Sequence, residues 1–122
     1  MAIHRVLIVD DSPTERYYLS DILRRNGFEV STAENGEEGI AKARAEKPDL
    51  ILMDVVMPGQ NGFQATRSLS RDPGTKDIPV ILCTTKDQET DKMWGMRQGA
   101  LAYLVKPVQA EDLLASIRTL AG

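Results

Sequence analysis

An α/β fold built on one parallel sheet follows from three features of the sequence. Short apolar, β-branched runs recur at about residues 5–9, 28–33, 49–53, 79–83 and 101–105. Segments with helical spacing fill the intervals, which is the strand-helix rhythm of parallel strands joined by crossover helices. Polar groups then follow four of the runs: Asp10 and Asp11 after Val6 to Val9, Asp54 after Leu50 to Met53, Thr84 after Val80 to Cys83, and Lys106 after Leu101 to Val105. Parallel strands bring all five groups to the carboxyl edge of the sheet, where open α/β sheets hold their ligands.

The first and third runs lack polar alternation, as expected of strands buried on both faces. Ser12-Pro13-Thr14-Glu15 announces the first helix, a capping-box sequence with proline at the first helical position. Its apolar face continues through Tyr18, Leu19, Ile22 and Leu23 and stops at Asn26-Gly27. After the second strand, Asn35-Gly36 opens a helix over about 36–46 that ends before Lys47-Pro48. The third helix starts near Gly62 and carries Phe63, Ala65, Thr66 and Leu69 to about Arg71. The fourth, about 88–98, is the weakest, because Gly95 in its interior costs roughly 1 kcal/mol relative to alanine; it is the helix expected to shift most easily. Leu113, Leu114, Ile117 and Leu120 mark the fifth.

With 122 residues the chain is expected to be one domain, 1–122, with no room for an output module. A formal net charge of −3 provides no general field for nucleic acid or an anionic membrane. Cys83 is the single cysteine and sits in an apolar run, which excludes a disulfide framework and a cysteine-based zinc site and points to the cytosol. The start, Met1 to Arg5, runs into the first strand without a signal-peptide pattern, and no apolar run approaches transmembrane length. His4, the one histidine, reads as solvated surface.

An aspartate pair after a strand is often only a helix cap. Here Ser12 already supplies the cap, so two further anions beside it are costly unless something positive binds them. Carboxylates in this loop also repel a phosphate directly, in contrast to the donor-rich loops that cradle nucleotides. Asp54, Thr84 and Lys106 each have an ordinary surface explanation, yet together on one edge they form a site for a hard cation and a phosphoryl group. Magnesium suits it, since that ion binds through one or two carboxylates plus phosphate oxygens.

Val9-Asp10-Asp11-Ser12, Met53-Asp54-Val55-Val56-Met57-Pro58-Gly59, Cys83-Thr84-Thr85 and Val105-Lys106-Pro107 resemble the motifs of the CheY-like response-regulator receiver domain over essentially the whole chain. Asp10 to Glu15, Gly62 to Arg67 and Thr84 to Lys92 resemble, more narrowly, stand-alone twitching-motility receivers of the PilH type. The resemblance implies a flavodoxin-like, doubly wound (βα)5 fold with a parallel five-stranded sheet of order 2-1-3-4-5. It implies Asp54 as phosphoacceptor, and a metal held by Asp10, Asp11, Asp54 and the backbone carbonyl of Val56, with Mg2+ as the ion and Mn2+ as a substitute. It further implies Lys106 as the partner of a phosphoryl oxygen, Thr84 as the switch hydroxyl, Tyr103 as the aromatic that follows it inward, and a cis Lys106-Pro107 peptide.

The implied function is a two-component response regulator in a bacterial cytoplasm. A histidine kinase or histidine phosphotransfer domain of the CheA-like kind would phosphorylate it, in a chemosensory pathway controlling type IV pilus twitching motility. Output would leave through a protein met by helix four, strand five and helix five, with no nucleic acid and no membrane involved; a phosphate sink for the same kinase is the alternative. A magnesium-dependent phosphohydrolase is disfavoured, because Val56 stands two residues after Asp54, where an acid/base carboxylate would be needed, and no insertion is long enough for a cap. A structural adaptor with a vestigial site is disfavoured by the presence of all the expected side chains.

Overall fold

The computed structural model describes residues 2–121; Met1 and Gly122, the ends of the expected domain, lie outside the described residues. Five strands, β1 (Arg5–Val9), β2 (Glu29–Ala33), β3 (Leu50–Met53), β4 (Val80–Thr84) and β5 (Ala102–Val105), alternate with α1 (Pro13–Arg25), α2 (Gly36–Glu46), α3 (Gly62–Arg71), α4 (Glu89–Arg97) and α5 (Ala110–Ala121). All pairings are parallel and the order is β2-β1-β3-β4-β5, as the receiver resemblance implied. Val9 pairs with Met53, and Thr84 with Val105, so the polar residues at the carboxyl ends stand side by side.

Alternation along the strands divides the core into two layers. Leu7, Val9, Ile51, Met53 and Leu82 pack with Ala43 of α2 and with Phe63, Ala65 and Leu69 of α3. Val6, Ile8, Leu50, Leu52, Ile81 and Cys83 pack with Leu19 and Leu23 of α1 and with Leu113 and Ile117 of α5. Both faces of the sheet are covered, which is why β1 and β3 read as unbroken apolar runs. Each fully buried leucine or isoleucine contributes about 1.5–3 kcal/mol.

Three local features differ from the sequence expectation. The Ser12-Glu15 capping box forms only by half: Ser12 Oγ accepts from the Glu15 N–H at 3.3 Å, but the Ser12 N–H goes to Asp10 Oδ1 at 2.9 Å, so Glu15 has no donor to return to. A complete box is at α3, where Asn61 and Gln64 each bond the other's backbone N–H. Strand β4 extends one residue further than expected and includes Thr84. Gly95 is more than a weak point in α4. A Cβ there would lie 2.6 Å from Leu82 Cδ1, 3.2 Å from Tyr103 and 3.3 Å from Phe63, so the glycine lets α4 approach the sheet closely.

Candidate functional site

Asp10 and Asp54 are fixed by the ladder itself. The Asp54 N–H donates to the Val9 carbonyl at 2.9 Å and the Asp10 N–H to Ala33 at 3.0 Å, placing both side chains just beyond adjacent strands. Asp10 is 1% exposed and Asp54 6%. Ser12 N–H orients the Asp10 carboxylate, the Arg16 guanidinium holds its backbone carbonyl at 2.7 Å, and Val55 N–H donates to Asp54 Oδ1 at 2.8 Å. Asp11 joins them from the exposed side: one oxygen from each of Asp10, Asp11 and Asp54 lies within 4.8 Å of the others. Three carboxylate oxygens brought this close are the donor type that fits a hard cation such as magnesium.

Lys106 reaches into this acidic cluster from the end of β5. Its Nζ is 2.7 Å from Asp10 Oδ2 and 3.5 Å from Asp54 Oδ1. Burial alone would depress the ammonium pKa, but the hydrogen bond to Asp10 and the charges of Asp54 and Asp10 outweigh it and hold the group above its ordinary value. Asp54 is pushed up to about 6, first by burial and next by the Asp10 charge, against the pull of Lys106 and the Val55 N–H. One ammonium therefore does not neutralise the site, and an added cation would stabilise it.

Thr84 is fully buried, and its hydroxyl accepts from the Lys86 N–H at 3.4 Å. The Lys86 carbonyl in turn accepts from the Tyr103 hydroxyl at 2.8 Å. The backbone of Lys86 thus links the two side chains expected to move, and Tyr103 packs against the core layer that contains Phe63 and Leu82. Val56 has an exposed side chain two residues after Asp54. The Lys106-Pro107 peptide is cis. Cys83 is buried and its thiol is pushed up to about 12 by burial, so it offers no thiolate at neutral pH.

The supporting roles of two residues escaped the sequence reading. Arg16 bonds the Asp10 carbonyl and Glu34, a pairing no local spacing reveals. Gly62 lies under the site: a Cβ there would stand 2.0 Å from the Asp54 carbonyl oxygen, so only glycine lets α3 begin so close. The Asn61-Gly62 dipeptide was its one signal.

Comparison with known proteins converges on one family. The family model described as the response regulator receiver domain matches residues 6–118. Protein PilH of Pseudomonas aeruginosa is 63% identical over 119 residues, covering 97% of this chain and 98% of that protein. Among solved structures, chemotaxis protein CheY4 of Vibrio cholerae superposes with a TM-score of 0.89 at 36% identity, covering 97% of this chain and 98% of its own. The CheX-CheY-BeF3-Mg2+ complex from Borrelia burgdorferi matches with a TM-score of 0.91 at 27% identity, over 96% and 88% of the two chains.

Proposed function

The chain belongs to the response-regulator receiver family, and from that premise we propose that it is a signalling switch thrown by phosphorylation of Asp54. The Asp54 carboxylate would attack the phosphorus of a donor phosphohistidine in line. A carboxylate O–P bond forms, the P–N bond breaks, and the imidazole leaves with its electron pair and takes up a proton. Phosphoryl transfer of this kind needs positioning and charge neutralisation more than a protein base. Asp10, Asp11, Asp54 and the Val56 backbone carbonyl would hold Mg2+, or Mn2+ in its place, and the bound ion supplies neutralisation of the phosphoryl oxygens. The solved relative that pairs a CheY with BeF3 and Mg2+ supports that ion.

Lys106 is already beside both carboxylates and needs only to exchange Asp10 for a phosphoryl oxygen. Thr84 would leave the Lys86 N–H for the phosphoryl group, and Tyr103 would leave the Lys86 carbonyl and turn inward, biasing α4 and β5. The protein assists its own phosphorylation and dephosphorylation and turns over no separate substrate. Its partners are a histidine kinase or phosphotransfer domain and an output protein at the α4-β5-α5 face. The 63% identity to PilH supports a place in a chemosensory pathway controlling twitching motility. Among the described residues no helix is long and apolar enough to cross a membrane, and we place the protein in the bacterial cytoplasm.

The observation that carries this proposal is the clustering of three carboxylates at the carboxyl edge, two of them paired with Lys106. Incubation with a radiolabelled phosphotransfer domain tests it. Label should pass to the wild type in the presence of magnesium and should not pass to Asp54→Asn; stoichiometric labelling of that variant would overturn the assignment.

A further inference from the structure

Away from the acidic edge, a hollow of about 350 Å³ opens between α3 and the end of α4, lined by Arg67, Ser70, Arg71, Arg97, Gln98 and Gly99. The Ser70 hydroxyl donates to the Gln98 carbonyl at 2.9 Å and ties the two walls together. All three arginines are exposed, and among the described residues none of their guanidinium groups has an ion pair or a side-chain hydrogen bond. By contrast, Arg16, Arg25 and Arg44 are each paired with a carboxylate. No carboxylate lines the hollow, although the chain carries a net charge of −3.

Helix ends explain part of this. Arg71 and Arg97 lie in the last turns of α3 and α4, where a cation offsets the negative end of the helix dipole. Arg67 has no such role. It stands four residues before Arg71 on the same helix, a like-charge spacing that destabilises the free helix. Next to this hollow is a second of about 210 Å³, lined by Thr90, Met93, Trp94 and again Arg97. Met93 is 56% exposed and Trp94 47%. Arginine, tryptophan and methionine are the side chains enriched in protein interfaces, and guanidinium groups bind carboxylates in bidentate fashion.

We propose that this α3-α4 groove docks an acidic peptide segment of a protein partner, whose carboxylates meet Arg67, Arg71 and Arg97 while an apolar side chain rests on Met93 and Trp94. Charge complementarity sets the sign of the occupant, and the apolar shelf sets its class: a free anion would leave that shelf uncovered and would meet only open, hydrated arginines. Neither β5 nor α5 lines the groove, so it shares only α4 with the α4-β5-α5 face, and it goes beyond the phosphorylation switch.

Fluorescence anisotropy with a labelled peptide of glutamates carrying leucine and phenylalanine at helical spacing tests the proposal, with a control peptide in which lysine replaces every glutamate. Only the acidic peptide should bind, its affinity should fall with salt, and Trp94 emission should change in the same titration. Combining Arg67→Glu with Arg97→Glu should weaken binding about tenfold or more, while Arg24→Glu on α1 should leave it unchanged. Arg67→Gln with Arg97→Gln, which removes charge without reversing it, should give a smaller loss, and circular dichroism checks that both double variants fold. Equal affinity in wild type and the charge-reversed variant would overturn the proposal, as would failure of the acidic peptide to bind. Displacement of the peptide by inorganic phosphate beyond the effect of chloride at equal ionic strength would also overturn it, in favour of a small-anion site. Closure of the groove by self-association, seen in sedimentation equilibrium, would replace the peptide by a second copy.

Discussion

Replacing Asp54 with asparagine should stabilise the metal-free protein at neutral and alkaline pH, although it removes the residue proposed as phosphoacceptor. In the folded chain the carboxyl is raised from its ordinary 3.8 to about 6, by burial first and then by Asp10. Below 3.8 both folded and unfolded chains hold the proton and nothing is lost. Between the two values the unfolded chain ionises while the folded one stays protonated, and stability declines as pH rises. Above 6 the folded carboxyl is ionised too and the loss is complete, at about 3 kcal/mol for a gap of this size. Asparagine keeps the acceptor for the Val55 N–H but carries no charge, so the variant escapes this loss, less whatever burial of its amide NH2 costs. Urea unfolding in EDTA should show the variant gaining roughly 2 kcal/mol on wild type between about pH 4.5 and pH 8, with the gain saturating above pH 7. A stability difference that is flat across this range, or a variant that loses ground as pH rises, would refute the electrostatic account of the site.

Magnesium should raise wild-type stability by mass action, by about 1.4 kcal/mol at ten times its dissociation constant, and Asp11→Asn should shrink that shift; thermal melts with and without the ion check this, and equal shifts would place the ion elsewhere. Gly95→Ala should destabilise by about 1–2 kcal/mol despite alanine's better helix propensity, because the added Cβ would fall 2.6 Å from the buried Leu82; urea midpoints decide, and a stabilised variant would restore the view of Gly95 as a mere weak point. A beryllofluoride adduct should change Trp94 emission in a manner that requires magnesium and Asp54 and is reduced in Thr84→Ala, which lacks the hydroxyl. Unchanged emission with the adduct confirmed by fluorine NMR would argue against propagation through α4.

Much of the fold was legible because burial on both faces of a parallel sheet leaves an unbroken apolar signature, and because Asn35-Gly36 and Asn26-Gly27 punctuate it. The five edge residues were legible because each ends a strand or lies within two residues of its end, so knowing the strands placed the side chains. What sequence could not convey was pairing across distance. The Lys106 contact with Asp10 spans 96 positions, Ser12 N–H was diverted from Glu15 by the Asp10 carboxylate, and Tyr103 is tied to Thr84 only through the backbone of Lys86. Gly62 and Gly95 were seen as helix signals, whereas their necessity lies in what a Cβ would strike: the Asp54 backbone in one case and Leu82 in the other.

The central claim, that the carboxylate at the end of β3 accepts the phosphoryl group, is tested most directly by trapping the phosphorylated protein with borohydride and mapping the product by peptide mass spectrometry. Reduction of an aspartyl phosphate leaves homoserine, so the peptide spanning Met53 to Pro58 should carry homoserine at position 54 in proportion to the phosphate incorporated. Homoserine at Asp10 or Asp11 instead, or phosphate incorporated with position 54 unmodified, would contradict the account.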